Sequence, residues 1–566
     1  MLAFCRVDGT SLVNESGSVN DDVGTVRVDS SSIASESRTN VLPQKLTNPS
    51  VAAATTVLPA QPLPTHTREL SNTTRGYVIA ALAFAIVIGM VACVYVYWSR
   101  TKKTTTIESI AVLPFENRSG NSDTDYLSDG LADSLIYRLS QLPSLKVSPT
   151  SSVMRYKGKE TDVAAVAREL QVDAVMSGRL MQRGDDLSIS VQLIDSRTNK
   201  LIWAEQYERK MADLLATQRE IATEIAQKLQ LKLAGNDDKG ITKRYTSSNE
   251  AYQLYLKGRY HFAKRNKADI LQAIDDYQQA IKLDPNFALA YARIAEAYNQ
   301  MPAYPYLSPK EAFPQAKVAA TRALEIDPTL SEAHMALANS LAVYDWNWTE
   351  AEREFKRALE LDPNSAATHF RYGQAYLTPL GRHEEAIAEV KKALELEPLD
   401  LNMGANLAWG YMFAGQRDRA LDQIKKTYEL EPDFVLSRYV LGDVYCANGM
   451  YSEAIALSEK SLQNDPTNQF LLRDLGYAYA RLGRRPDAEG VIQNFIEIAK
   501  TQYVMSYWVA NIYGVLGEKD KAFAELEKSF AEHDWWLHRV KVDPFMDPLR
   551  DDPRFKGILK RLNLPD

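Results

Sequence analysis

Apolar and small residues recur at helical spacing through the second half of the chain, and each helical pattern ends at a proline. Each of these prolines follows an acidic residue, and they are Pro285, Pro328, Pro363, Pro398, Pro432 and Pro466. The intervals between them are 43, 35, 35, 34 and 34 residues. A fixed period of this length predicts a solenoid of stacked helix pairs. We therefore expect about half of the chain to act as a scaffold that holds partners.

Within each period the same residue types stand at the same offsets. The period that ends at Pro466 carries Leu441, Gly442, Tyr445, Gly449, Tyr451 and Ala454. The period that ends at Pro398 carries Tyr372, Gly373, Tyr376, Gly381 and Ala386, with one extra residue before the second glycine. A small residue after the apolar one lets two helices approach closely, and the tyrosine fills the gap between them. The later glycine can take a positive φ and end the first helix.

This pattern resembles the tetratricopeptide repeat, and eight copies are predicted within residues 247–533. The second copy contains an insertion at 301–309, which explains the longest interval. The resemblance implies that the first helices of successive repeats line a concave groove that accepts peptides or protein segments. We expect the remaining tail, 534–566, to cap the open end of the solenoid, which would otherwise expose apolar surface.

Three polar residues are candidates for the floor of this groove. Arg293, Arg371 and Asn406 occupy one equivalent position, two residues before the small residue of their repeats. Such side chains could hold a carboxylate or the backbone amides of a bound segment. The alternative interpretation is a solvated helix face, which is the commoner situation for polar residues at such positions.

Residues 77–98 form an apolar run of 22 residues without a charge. A helix of that length spans the hydrocarbon core of a membrane, which is roughly 30 Å thick. Tyr95, Tyr97 and Trp98 cluster at one end of the run, as aromatic residues do at membrane interfaces. The run therefore predicts a transmembrane helix, rather than a buried core helix or a cleaved signal peptide. The basic residues around it favour a cytoplasmic C-terminal part, by a single charge.

The segment before the apolar run has a different character. Residues 1–76 are rich in Ser, Thr, Asn and Val and show no sustained periodicity. This composition predicts a disordered tail. The three cysteines, Cys5, Cys93 and Cys446, lie in three different regions, so the sequence predicts no disulfide framework.

Residues 104–235 predict a compact α/β domain. Short apolar runs at 109–115, 145–147 and 172–178 are typical of buried strands. After a turn at 184–186, the apolar residues from Leu187 to Leu193 alternate with polar ones, which predicts a half-buried strand. Helical patterns separate the first three strands and follow the last one, so the expected order is βαβαβββα.

Two stretches of this domain carry a family resemblance. Ile110–Asn117 and Leu127–Asp133 resemble the amino-terminal domain of TolB and the FlgO-like domains. Bacterial membrane proteins that join such a domain to tetratricopeptide repeats are similar in plan. Many of them carry a kinase, cyclase or winged-helix domain before the membrane helix, for which a 76-residue tail is too short. By this resemblance the C-terminal part lies outside the cytoplasm, at a bacterial inner membrane.

Motifs of enzyme chemistry are missing from the sequence. It contains no phosphate-binding glycine loop, no kinase catalytic loop and no nucleophile elbow. The seven histidines are scattered, and the net charge of −7 comes without a basic block that would favour nucleic acid. The sequence therefore predicts no catalytic, cofactor-binding or metal-binding residues, no small-molecule substrate and no nucleic-acid partner.

Together these patterns predict a mainly α protein, an α-solenoid of tetratricopeptide repeats preceded by a small α/β domain and one transmembrane helix. The predicted function is that of a membrane-anchored scaffold whose repeats capture protein partners, without enzymatic activity. The alternative is the sensor half of a signalling protein of kinase, cyclase or transcription-regulator type, whose output domain is missing.

Overall fold

A computed structural model describes residues 107–121, 124–142, 144–159, 162–229 and 243–565, together with 83–84 and 88–90. The described residues from 107 onward belong to one compact unit. The predicted tail 1–76 and most of the predicted membrane segment 77–98 lie outside the described residues. Among the residues that are described, none of the helices combines the length and the apolar character that a membrane span requires.

The first part of this unit is the α/β domain. Its elements are β1 (Ser109–Val112), β2 (Glu116–Asn117), α1 (Asp125–Ser140), β3 (Lys146–Val147), α2 (Thr150–Val153), α3 (Val163–Leu170), β4 (Ala174–Arg183), β5 (Asp186–Asp195), β6 (Lys200–Lys210) and α4 (Leu214–Lys228). The strand order is β3-β1-β4-β5-β6, and β2 pairs with β4 beyond the end of β1. The predicted order of strands and helices is confirmed, with β2 and α2 as additional short elements.

The connections of the sheet follow from its strand directions. β1 runs parallel to β3 and to β4, and these pairs are reached through helical crossovers. β4, β5 and β6 are antiparallel, so short turns suffice. Gly184, in the turn between β4 and β5, has a φ of 61°, which glycine adopts without strain. Along β5 the predicted alternation is observed, since Leu187 and Leu193 are buried while Ser188 and Gln192 are not.

Eight helix pairs follow, numbered here as repeats 1 to 8. Their helices are α5 (Asn249–Ala263), α6 (Lys267–Leu283), α7 (Ala288–Gln300), α8 (Pro309–Ile326), α9 (Ser331–Val343), α10 (Trp348–Leu361), α11 (Ala366–Arg371), α12 (His383–Leu396), α13 (Leu401–Phe413), α14 (Arg417–Leu430), α15 (Val435–Ala447), α16 (Tyr451–Leu462), α17 (Gln469–Arg481), α18 (Arg485–Ile498), α19 (Ser506–Val515) and α20 (Lys519–Glu532). The odd-numbered helices are the first helices of their repeats and are called inner helices. A tail with one further helix, α21 (Pro553–Arg561), completes the unit.

In repeats 1 and 3 to 8, the turn between the two helices contains a residue with a left-handed backbone conformation. The turn glycines of repeats 4 to 8 all have a positive φ: Gly381, Gly415, Gly449, Gly483 and Gly517. In repeats 1 and 3 the same conformation is taken by Arg265 and Trp346, at φ values of 57° and 52°. A bulky residue in this conformation is strained by about 1–2 kcal/mol, so other contacts of Trp346 must offset that cost.

The extra residue of repeat 4 is absorbed inside its inner helix. Helix α11 continues as a π-helical turn, Tyr372–Leu377. The backbone N–H of Thr378 accordingly donates to the carbonyl oxygen of Gly373, five residues earlier, at 3.0 Å. A single inserted residue in an α-helix is commonly accommodated in this way, and such turns occur often at functional sites.

Candidate binding cavities on the inner helices

The inner helices face two other parts of the same chain. The α/β domain packs against the first repeats, where Tyr252 of α5 donates a hydrogen bond to Ser134 of α1 at 2.7 Å. Gly130 allows this close approach, because a Cβ at that position would lie 3.0 Å from Leu256. Farther along, the Ser151 hydroxyl donates to a carboxylate oxygen of Glu397, at the end of repeat 4, at 2.7 Å.

The C-terminal tail packs against the inner helices of the later repeats. Trp536 is 1% exposed, and its ring lies 4.9 Å from that of Trp409, 5.2 Å from that of Trp508 and 6.2 Å from that of Phe470. The tail also covers the last repeat, where Arg554 lies over the ring of Phe523. The tail therefore contacts repeats 5, 7 and 8 from the inside as well as from the end.

Repeat 8 and the tail contact repeat 3. The imidazole of His533 stacks on the indole of Trp346 at 4.5 Å, and the ring of Phe530 lies 4.8 Å from the same indole. Trp348 donates from Nε1 to the carbonyl oxygen of Leu562 at 2.9 Å. These stacking contacts offset the strain of the left-handed Trp346. We call the contacts of 344–348 with 530–563 the closure contact.

The α/β domain and repeats 1 to 4 enclose a cavity of about 920 Å³, which we call the interdomain cleft. Charged residues that line it are Glu108, Asp133, Lys146, Arg259, Arg265, Arg293, Glu296, Glu332, Asp362, Lys392, Glu395 and Glu397. Ion pairs join Arg259 to Asp133, Arg293 to Glu296 and Lys392 to Glu395. The carboxylates of Asp362 in repeat 3 and Glu397 in repeat 4 take part in none of these pairs.

These two carboxylates have raised pKa values. Burial, with the nearby Glu332 carboxylate adding to it, raises the pKa of Asp362 to about 6. Burial likewise raises the pKa of Glu397 to about 7, although the hydrogen bond from Ser151 opposes this shift. In both residues burial outweighs the opposing charge of a nearby basic group, which is His369 for Asp362 and Arg265 for Glu397.

These carboxylates belong to the acidic residues that precede the periodic prolines. In repeats 1 and 2 the equivalent residues, Asp284 and Asp327, bind the segment that leads into the repeats: Asp284 accepts from the Thr246 hydroxyl, and Asp327 accepts from Lys243 Nζ at 2.6 Å. In repeats 3 and 4 they face the cleft. The acid–proline motif was visible in the sequence, but its position on the inner edge of the solenoid was not.

A second, smaller cavity of about 60 Å³ lies farther along the inner helices, and we call it the ring cavity. Residues from repeats 2 to 7 and from the tail line it. Its polar residues include Asn339, Arg371, Gln374, Asn402, Asn406 and Arg539, and its aromatic residues include Phe370, Trp409, Phe470 and Trp535. None of the described residues that line this cavity is a carboxylate, so its lining has a positive charge.

The three predicted groove residues are divided between these cavities. Arg293 lines the interdomain cleft, where it is 2.7 Å from Glu296. Arg371 and Asn406 line the ring cavity together. Sequence reasoning missed Arg539, which belongs to no repeat, and the cleft carboxylates Asp362 and Glu397. Within the described part of the chain, no group of three or more His, Cys, Asp or Glu side chains is arranged to hold a metal ion.

Comparisons with known protein families agree with the two-part architecture. A model described as the second domain of HilA/YgeH-like transcriptional regulators matches residues 105–224. Two tetratricopeptide-repeat models match residues 269–301 and residues 340–400 and 406–469. The resemblance to TolB amino-terminal and FlgO-like domains receives no support from these matches.

A curated relative from Rhizobium meliloti (strain 1021) is named as a candidate adenylate cyclase. It is 33% identical over 187 residues, which are 33% of this chain and 32% of that protein. The match thus spans about a third of the length of the relative.

Solved structures similar to this chain include several repeat proteins. A thermophilic TPR protein of Thermus thermophilus is 21% identical, covering 34% of this chain and 98% of its own, with a TM-score of 0.30. The type IV pilus biogenesis factor PilW is 22% identical, covering 38% of this chain and 96% of its own, with a TM-score of 0.31. On the family matches and the repeat geometry, the solenoid of this chain is built from tetratricopeptide repeats.

Proposed function

We propose that this protein is a scaffold that binds a segment of a partner protein in the interdomain cleft. The observation that carries the proposal is the cleft itself, which is large and lined by inner helices of tetratricopeptide repeats. Repeats of this family present such surfaces to protein segments, and about 920 Å³ is the size of a ligand pocket rather than of a packing defect. The sequence contains no motif of enzyme chemistry that would compete with this role.

The charges of the cleft favour a basic segment. Neither Asp362 nor Glu397 makes an ion pair with another described residue, and burial raises the pKa values of both carboxyls. A lysine or arginine side chain placed between them would supply charge-assisted hydrogen bonds and restore their ionised forms. We therefore expect the bound segment to carry at least one such side chain facing repeats 3 and 4.

Binding can be measured by fluorescence anisotropy on the full chain, with a short lysine-containing peptide and a twin that carries glutamate in place of lysine. We expect the lysine peptide alone to bind, and the double variant Asp362→Asn, Glu397→Gln to bind it about tenfold more weakly. The matched control is Glu431→Gln, an acid before a periodic proline that does not line the cleft. Equal binding of both peptides, or an equal loss in the control, would reject the proposal.

Attachment to a membrane is a further part of the proposal. It is supported by the uncharged run 77–98 and by the aromatic residues at its end. The proposed location is a bacterial inner membrane with the repeats outside the cytoplasm. Reporters active only outside or only inside the cytoplasm, fused after Asp566, test this topology. Activity of the internal reporter alone would place the repeats in the cytoplasm instead.

A second candidate function is control of a signalling output. The family matched by 105–224 is described as a domain of transcriptional regulators, and the Rhizobium meliloti relative is named as a candidate adenylate cyclase. Under this proposal, occupancy of the cleft changes the packing of the α/β domain, and that change reaches an output domain. The contact between Ser151 and Glu397 links repeat 4 directly to this domain.

A chimera tests the second candidate. Residues 105–397 of this chain, which carry the whole lining of the cleft, are joined to the part of the relative outside its matched region, and cyclic AMP is measured with and without the lysine peptide. A change in cyclic AMP that disappears in the Asp362→Asn, Glu397→Gln double variant would favour signalling over simple scaffolding. Cyclic AMP that does not respond to the peptide would leave the scaffold as the better account.

A further inference from the structure

The ring cavity contains two arginines, Arg371 and Arg539, that make no ion pair within the described part of the chain. Arg539 is only 3% exposed, and its Nε and Nη1 atoms have no hydrogen-bond partner among the described residues. Its Nη2 atom lies 3.5 Å from the carbonyl oxygen of Gln374, at the limit of a hydrogen bond. Stacking on Trp535 and Trp536 offsets part of the desolvation but supplies no acceptor for these N–H groups.

The carboxylate of Asp543, whose charge opposes the lowering of the Arg539 pKa, is occupied by other donors. Asp543 accepts from the hydroxyl of Tyr507 at 2.9 Å, from Nε1 of Trp536 at 3.0 Å and from the backbone N–H of Phe545 at 3.0 Å. It does not line the ring cavity. Three donors satisfy this carboxylate, so it stays with them rather than with the guanidinium.

Arg371 is the second cation. Within the described residues it makes no ion pair and no hydrogen bond, and its guanidinium carbon lies 5.4 Å from the ring centre of Phe370. Burial lowers the pKa of Arg371, and burial together with the charge of Arg371 lowers the pKa of Arg539 to about 9. Arg539 is buried and Arg371 is half-buried, so their like charges destabilise each other, and an anion between them would relieve both.

A third polar side chain in the cavity, that of Gln374, is only partly hydrogen-bonded. Gln374 lies in the π-helical turn and donates from Nε2 to the carbonyl oxygen of Asn406 at 2.9 Å, while its buried Oε1 accepts nothing from the described residues. The unused groups of the cavity are therefore guanidinium donors and one amide acceptor. The walls between them are aromatic, with Trp409, Phe470 and Trp535 as the main surfaces.

We propose that the ring cavity binds a small organic oxyanion, a carboxylate or a phosphate, between Arg371 and Arg539. A hydroxyl or amino group beside the anionic group would donate to Gln374. A volume of about 60 Å³ limits the ligand to a compact molecule and excludes an extended peptide. Arg371 belongs to repeat 4 and Arg539 to the tail, so the ligand joins the tail to the inner helices.

Binding is measured on the full chain with lactate, acetate and inorganic phosphate, each against chloride at equal ionic strength. Tryptophan fluorescence reports on the site directly, because Trp409 and Trp535 line it, and the melting temperature reports the linked stabilisation. We expect at least one of the three anions to raise the melting temperature at millimolar concentration. If lactate binds more tightly than acetate, the preferred ligand is a carboxylate with a hydrogen-bond donor beside it. If phosphate binds most tightly of the three, the preferred ligand is a phosphate.

Three variants locate the binding. Arg371→Gln and Arg539→Gln should each weaken it by at least about tenfold, because each removes a charge-assisted contact. The control Arg357→Gln removes an exposed arginine that pairs with Glu360 on α10, the second helix of repeat 3. This control should bind the anions as the wild type does. If Arg539→Gln does not fold, Arg371→Gln alone decides the outcome.

A structural role of the arginines gives a different result. We expect Arg371→Gln to melt no lower than the wild type in the absence of anions, since it removes an uncompensated charge. A lower melting temperature without anions would assign Arg371 to structure and overturn the proposal. It is also overturned if none of the three anions changes fluorescence or melting, or if both variants bind them as the wild type does. Neither result bears on the peptide test of the cleft.

Discussion

Single glycines set the distance between neighbouring helices of the solenoid. Gly442 of α15 faces the carboxylate of Asp474, whose Cγ would lie 3.2 Å from an added Cβ. Gly258 of α5 faces the ring of Tyr277, at 2.7 Å from its Cδ1. Both contacts are closer than side chains tolerate, so the helices can pack at this distance only with glycine.

We expect Gly442→Ala to lower the free energy of unfolding by about 1–3 kcal/mol, because the added methyl group overpacks a buried contact. Gly490→Ala is the matched control, since nothing lies within 4 Å of its Cβ position in helix α18. That variant should gain up to about 1 kcal/mol from helix propensity. Chemical denaturation compares the two, and a loss of equal size at both positions would contradict the packing argument.

A buried charge cluster lies beside Gly442. Arg473 is fully buried between Asp443 and Asp474, and the Trp409 indole donates to Asp443 at 2.6 Å. Burial raises the pKa of Asp474 well above its ordinary value, which disfavours the ionised form of this carboxyl, although the charge of Arg473 opposes the shift. Asp443 and Arg473 remain as the ion pair at the centre of the cluster.

Replacing Arg473 by Met should lower the free energy of unfolding by about 3–5 kcal/mol, because the charge of Asp443 is left buried without its partner. The double variant Arg473→Met, Asp443→Asn should recover part of this loss, since it also removes the stranded charge. Arg438→Met, at a half-buried arginine on the same inner helix as Asp443, is the control with a small expected effect. Additive losses in the double variant would argue against coupling.

The sequence predicts the small residues at these sites because their chemistry is repeated with the period of the fold. It cannot predict Arg539, which occurs once, outside the repeats, and acquires its environment only when the tail folds back. The same limit applies to Arg293 and Arg371. They are equivalent in the repeat, yet among the described residues one is paired with Glu296 and the other has no ionic partner.

At the scale of elements, the tail is held by aromatic packing. Trp536 inserts among Trp409, Phe470 and Trp508, which come from three different inner helices. A fully buried tryptophan removes a large apolar surface from water, so Trp536 contributes strongly to the docking of the tail. The tail is thus part of the core of the later repeats.

We expect Trp536→Ala to lower the free energy of unfolding by about 3–5 kcal/mol, through lost burial and the cavity that remains. The control Leu482→Ala removes an apolar side chain that is 48% exposed and should change stability by less than about 0.5 kcal/mol. Guanidinium denaturation measures the free energy of unfolding of both variants. A small effect of Trp536→Ala would mean that the tail is only loosely attached.

Element boundaries in the repeats were predictable, because helices, turns and glycines recur together. The extra residue of repeat 4 was visible in the sequence, but its accommodation as a π-helical turn depends on backbone geometry. The docking of the tail depends on contacts such as that between Trp348 and Leu562, which are 214 positions apart and which no local pattern encodes.

At the scale of the whole described unit, the acidity of Glu397 is linked to the packing of the α/β domain. Its pKa is about 7 in the folded chain and 4.5 in an unfolded one. The folded state therefore holds this proton more tightly. Its contribution to stability is complete below about pH 4.5 and is lost as the pH rises through about 7.

The variant Glu397→Gln should remove this dependence. We expect the wild type to lose about 1–3 kcal/mol more than the variant between about pH 4.5 and about pH 8. At about pH 8 the variant should be the more stable of the two. Glu431→Gln, at the equivalent exposed position, should follow the wild type. Thermal unfolding measured at both pH values tests this prediction. An equal change in stability for the wild type and Glu397→Gln would contradict the raised pKa of Glu397.

The closure contact has a consequence for folding. In an open solenoid, stability is a sum of local terms and terminal repeats can fray by themselves. Here the stacking of His533 on Trp346 and the hydrogen bond from Trp348 to Leu562 join positions about 190 to 214 residues apart. Fraying at the C-terminal end must therefore break contacts in repeat 3 as well. Repeats 3 to 8 should unfold as one cooperative block, with a high contact order and slow refolding.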